Sequence, residues 1–159
     1  MATLEDLFGG NGGNYGPKLV NLKNVGEFIK GTITKIDNQA PTFEMVRGVD
    51  GKYKPGLQKF WVEGKPKGVD SETATRAGLR PVTQIELHLK DVVGEWVGKP
   101  ADITEARVVV TGSANEREVF KATLAEAGSI DEGDGFGKKL IDRDGNQKSN
   151  EMKIIKPSA

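Results

Sequence analysis

Cysteine is absent from the 159 residues, histidine occurs once, and aromatic residues make up only 6%. Without cysteine there is no disulfide framework, no thiolate metal site and no sulfur nucleophile. The single histidine, His88, has no serine nucleophile pattern near it, so a Ser-His-Asp arrangement lacks support. We read it as a solvated residue on the polar face of a strand. Net charge is missing too, with 23 Lys+Arg against 23 Asp+Glu. That excludes a polybasic chain holding nucleic acid by bulk charge, and equally an acidic mimic. No run approaches the ~20 apolar residues that span a bilayer. Glu5 and Asp6 stand where a secretory signal needs basic residues. The expectation is one ordinary domain in a reducing intracellular compartment, with no membrane partner.

What the chain has in quantity is glycine, 21 residues. Five fall within residues 9–16, a stretch that orders only at high entropic cost. Residues 1–22 therefore read as a flexible Gly-rich tail, with Leu4, Leu7 and Phe8 forming one short acidic-hydrophobic turn ahead of it. The remainder, 23–159, reads as a single domain.

Alternation and β-branched content over 26–37 predict a strand, with Gly31 marking a bend or a close backbone approach. Residues 42–46 and 58–62 are shorter strand candidates, and 63–68 reads as a turn. Residues 69–80 read as an exposed loop. Residues 82–93 are the clearest strand, with Ile85, Leu87 and Leu89 on one face. Residues 106–113 form a short apolar strand. Val119, Phe120, Thr123, Leu124 and Ala127 recur at helical spacing, so 115–127 reads as the one helix, capped by Ser113 or Asn115 and ended by Gly128. A hairpin, 135–142 with 151–157, closes the chain. The class is mainly β. One helix before the last two strands of an antiparallel set is the element order of an OB-fold, a Greek-key barrel of five to six strands here.

No P-loop is present, and the glycine-rich 133–139 segment has no helix after it to cradle phosphate. Residues 142–146 lack the spacing of a calcium loop. The acids Asp131, Glu132 and Asp134 are the least unfavourable metal set, and a Mg²⁺-dependent nuclease is the third-ranked reading. No metal or cofactor is expected. Charge patterning is more telling. Residues 23–68 hold nine basic and five acidic residues, a local +4, together with five of the ten aromatics. Cations interleaved with rings suit single-stranded nucleic acid, whose phosphates are neutralised while unpaired bases stack. The candidates are Lys35, Phe43, Arg47, Tyr53, Lys54, Lys59, Trp61, Lys65 and Lys67, with Arg80, Lys90 and Arg107 behind them. Phe60 and Trp61 are adjacent on a strand and point opposite ways, and we assign Trp61 to the outside with Lys59.

Between about Val25 and Pro157 the chain resembles single-stranded-DNA-binding proteins encoded by tailed phages, notably those of actinobacteria. The resemblance rests on GTITKI (31–36), KFWVEGKPKG (59–68), QIELHLKD (84–91), RVVVTGS (107–113), LAEAG (124–128), EGDGF (132–136) and MKIIKP (152–157), in that order. It implies a non-catalytic OB-fold protein that coats single-stranded DNA in replication or recombination, in the cytoplasm of an infected bacterium. It allows a homo-oligomer without fixing the subunit number. Bacterial proteins of this functional class commonly end in an acidic, Phe-tipped tail, which KIIKPSA is not. Docking of replication or recombination proteins is therefore assigned to Leu4, Leu7 and Phe8. The second-ranked function is a protein-interaction module of virion or scaffold type.

Overall fold

The computed structural model describes residues 17–157 except Asp144 and Asn146. The peptide carrying Leu4, Leu7 and Phe8 lies outside the described residues. Eight strands and two helices follow one another: β1 (Phe28–Pro41), β2 (Phe43–Arg47), β3 (Tyr53–Val62), β4 (Lys65–Gly68), α1 (Ser71–Ala77), β5 (Thr83–Glu95), β6 (Glu105–Val109), α2 (Ala114–Ala127), β7 (Gly135–Arg143) and β8 (Gln147–Ile155). The chain is mainly β, as expected. It divides into two compact units, one of residues up to Asp37 with those from Glu86 onward, the other Asn38–Ile85.

The first unit is built on a five-stranded sheet in the order β6-β5-β1-β7-β8. Ile29 and Ile33 on β1, Leu87 and Leu89 on β5, Val108 on β6 and Phe136 on β7 are all buried, and they form its core. β1 can sit between two neighbours because two glycines let backbones close up. A Cβ on Gly31 would fall 2.7 Å from the Lys90 carbonyl, and one on Gly94 would collide with the Phe28 carbonyl. The helix α2 lies between β6 and β7 in the chain and follows its sequence signals. The Ser113 hydroxyl accepts from the Glu116 N–H, Gly128 returns its N–H to Leu124, and Phe120 is buried. Asn115 does not cap. It reaches β8, accepting from the Asn150 N–H at 2.9 Å. An ion pair of 2.8 Å between Lys138 and Glu116, both mostly buried, ties the helix to β7.

Three expectations need correction. First, no closed barrel is seen among the described residues, and β6 and β8 are the ends of the five-stranded order. Edge groups of both strands are met by local partners instead. Arg107 of β6 accepts from the Val20 N–H and donates to the Lys18 carbonyl. On β8 the Asn150 N–H goes to Asn115, and the Met152 carbonyl accepts from the Thr123 hydroxyl. Second, residues 17–22 do not all belong to a tail. Val20 is buried, and Leu19 makes a parallel bridge to Arg107. Third, the described residues form two helices rather than one, and 63–68 is more than a turn. Asp70 caps α1 through the Thr73 N–H, and Gly78 ends it in the left-handed region. Glu63 and Gly64, both at positive φ, make the tight reversal that delivers β4.

Just before β1, the Glu27 carboxylate accepts from the backbone N–H groups of Lys23, Asn24 and Val97. These bonds hold its pKa down, to about 2. A carboxyl group depressed on folding contributes stability above its ordinary pKa, and that contribution is lost as pH falls through about 2. Glu27→Gln should therefore lower the melting temperature at neutral pH. The gap between variant and parent should close as the pH of the melts is lowered toward 2.

Candidate nucleic-acid interface

Eight of the nine sequence-nominated residues fall in the second unit, and Lys35 alone lies in the first. The second unit carries a three-stranded antiparallel sheet in the order β2-β3-β4. Its buried apolar residues are few: Ala40, Phe60 and Ala74. By contrast Phe43, Met45, Val46, Val49, Tyr53, Leu57 and Trp61 are all exposed. Side chains on both faces of the β2–β3 ribbon thus meet solvent. Exposed apolar groups in such a concentration mark an interaction surface.

The register distributes the candidates. Directly opposed residues on neighbouring strands share a face. Lys59 stands opposite Gly68 and Trp61 opposite Pro66, whereas Phe60 stands opposite Lys67 and Val62 opposite Lys65. Lys59 and Trp61 therefore share one face, and Lys65 and Lys67 the other. Glu44 belongs to the Trp61 face, because a Cβ on Gly68 would collide with its carboxyl group. Alternation along β2 then sends Phe43, Met45 and Arg47 to the Lys65 face, joined by Tyr53 opposite Arg47. Val46 and Lys54, opposite each other, join the Trp61 face. A register shift between Phe43 and Met45 reverses the parity of β3 along its length.

The nine residues therefore do not lie on one surface. Phe43, Arg47, Tyr53, Lys65 and Lys67 share a face. Lys54, Lys59 and Trp61 occupy its reverse, in the company of Glu44. Trp61 lies outside with Lys59, as the sequence reading has it. Among the described residues none of Arg47, Lys54, Lys59, Lys65 or Lys67 forms a salt bridge; the one ion pair of this unit is Arg76 with Glu72. Cations left uncompensated beside exposed rings suit a polyanion with flat, unpaired bases. Sequence reading missed Met45 and Leu57 as part of this surface. Their exposure depends on the ribbon having no layer over it, which no local pattern encodes.

In the first unit the second-tier residues behave differently from one another. Arg107 is occupied, donating to Glu86 at 2.8 Å and to the Pro17 carbonyl at 2.7 Å. Lys90 remains exposed on β5, and so does Arg80 in the second unit. His88 is half-buried rather than solvated, since it stands opposite Arg107 on the sheet. Burial, and then the charges of Lys35 and Arg107, lower its pKa. The acidic set near 131–134 is claimed by a lysine. Lys156 Nζ lies 2.6 Å from buried Asp134 and 3.0 Å from Asp131. Among the described residues no group of three or more His, Cys, Asp or Glu is placed to hold a metal ion.

Comparison with family models, with curated proteins and with solved structures finds no match to this chain.

Placement on this sheet separates packing residues from surface residues. Phe60→Ala should cost about 3–5 kcal/mol by removing a buried ring. Tyr53→Ala, at an exposed site, should stay within about 0.5 kcal/mol of the parent. Urea unfolding followed by circular dichroism measures both.

Proposed function

We propose that this chain binds single-stranded DNA without catalysis and with little sequence preference, on an OB-type framework. The strand order β6-β5-β1-β7-β8 supports the framework. In an OB-fold the first strand is central, flanked by the second and fourth, with the third and fifth outermost. Taking β1, β5, β6, β7 and β8 as those five reproduces that order, and α2 falls between third and fourth as the fold requires. OB barrels are often only partly closed. On this assignment β2, β3, β4 and α1 form an insertion between the first two strands, in the loop that OB-folds commonly use to grip oligonucleotides.

The observation that carries the reading is the ribbon face with Phe43, Arg47, Tyr53, Lys65 and Lys67. Rings there stack on bases while unpaired cations meet phosphates, and neither interaction depends on base identity. Trp61, Lys59 and Lys54 on the reverse face take a strand that wraps the ribbon, while Lys35 on β1 is a cation of the first unit, apart from this sheet. Coating of single-stranded DNA in phage replication or recombination follows from the same reading together with the family resemblance. A virion or scaffold module would use the exposed apolar ribbon against protein instead. The free cations favour the nucleic acid.

Titration of tryptophan fluorescence with poly-dT tests the reading. Quenching at low salt should weaken steeply with added salt. Tyr53→Ala should cost about 1–3 kcal/mol of affinity, as loss of one stacked base does. Arg47→Ala should lower the slope of log K against log salt by about 0.7, the value for one contact to a single strand. Absence of both quenching and a mobility shift at low salt overturns it.

A further inference from the structure

The outer face of β1, β7 and β8 holds a groove of about 250 Å³ that the ribbon reading leaves unused. Its rows follow from the register. Lys30, Gly137 and Lys153 stand side by side, and Phe28, Lys139 and Glu151 form the next row. Lys30, Lys139 and Lys153 are exposed, and none forms a salt bridge among the described residues. Lys138, by contrast, turns its ammonium inward to Glu116 and the Val109 carbonyl. Glu151 is the single acid lining the groove.

Gly137 is the informative residue. A glycine inside a strand weakens it, and commonly marks a bulge, a bend or a place where something approaches the backbone. β7 pairs without a register break on both sides of Gly137. Gly137 is not among the glycines at positive φ. A Cβ there would meet only ordinary contacts, 3.7 Å from the Lys30 Cβ and 4.0 Å from the Ile29 carbonyl. Neither backbone conformation nor packing requires glycine at this position, unlike Gly31. Its missing side chain leaves an open floor about 10 Å wide between the Lys30 and Lys153 strands, two strand spacings apart.

We infer that this groove is a second contact surface for single-stranded DNA. Lys30, Lys153 and Lys139 neutralise consecutive parts of the backbone over the Gly137 floor, and the half-buried Phe28 ring offers a stacking edge. This rests on the reading of the chain as a single-strand binder, and extends it from the ribbon to the sheet. A polyanion is selected because three unpaired cations face one carboxylate, within a unit that carries three more acids than bases.

The test uses the full chain and two poly-dT lengths, one of about 12 nucleotides, within the usual site size of one OB unit, and one several times longer. Gly137→Val fills the floor while improving strand propensity. It should melt no lower than the parent, yet bind the long oligonucleotide about tenfold more weakly. The triple variant Lys30→Ala, Lys139→Ala, Lys153→Ala should lower the salt slope for the long oligonucleotide by about 2, at roughly 0.7 per cation. Tyr53→Ala should weaken binding of both lengths, which separates the ribbon from the groove. Long-oligonucleotide affinity and slope unchanged in both groove variants overturn the groove alone. No binding of either length by the unaltered chain overturns the groove and the function together. If the triple variant loses binding to poly-glutamate while keeping its DNA affinity, the groove is a site for acidic protein and the inference fails.

Discussion

The central position of β1 is the constraint on which the five-stranded sheet depends. A strand with a neighbour on each side must satisfy two ladders while its side chains fill a core, and the approach of β5 leaves no room for a Cβ at two points. Gly31 and Gly94 meet that condition from opposite strands, against the carbonyls of Lys90 and Phe28. With β1 held between β5 and β7, Ile29 and Ile33 bury beside Leu87, Leu89 and Phe136. The outward side of the same strand is then free to carry Phe28 and Lys30. Core and groove are two faces of one placement.

A sheet with ends has edges, and exposed edges invite pairing with other chains. Here polar groups at both ends are met by local partners. Lys18 and Val20 bracket Arg107 on β6, and Asn115 and Thr123 of α2 serve Asn150 and Met152 on β8. Each such bond occupies a group that a β6–β8 ladder would need. The helix does two jobs at once, burying Phe120 and supplying the side chains that substitute for the ladder.

Much of this was legible from periodicity. The helix from 115 to 127, the strand around Leu87 and Leu89 and the final hairpin carry strong local signals, and each forms within a residue or two of its expected bounds, except that β8 begins at Gln147, four residues before the expected 151. The small helix α1 was missed because seven residues give barely two turns of pattern, although Asp70 and Gly78 cap it in the ordinary way. β4 was missed because Lys65-Pro66-Lys67-Gly68 has almost no strand propensity. It pairs only because the Glu63-Gly64 reversal aims it back at β3. The site was half legible. Composition located the basic and aromatic segment, but face assignment required knowing where β3 shifts register. Without that shift Tyr53 shares the parity of Lys59 and Trp61 and is assigned to their face, the reverse of the one it occupies.

Neutral net charge stands as the natural objection to a polyanion ligand, and distribution answers it. Residues 38–85 hold eight basic and five acidic residues, so the remainder is acidic by the same margin. Charges act over roughly a Debye length, about 8 Å at physiological ionic strength, so a polyanion placed on the ribbon would sense the local set rather than the sum. Within the first unit the basic residues divide by role. Arg107, Lys138 and Lys156 are committed to Glu86, Glu116, Asp131 and Asp134, where burial or geometry makes an unpaired charge costly. Lys30, Lys139 and Lys153 are left without such partners on one exposed face. A zero in the total charge therefore conceals two positive surfaces.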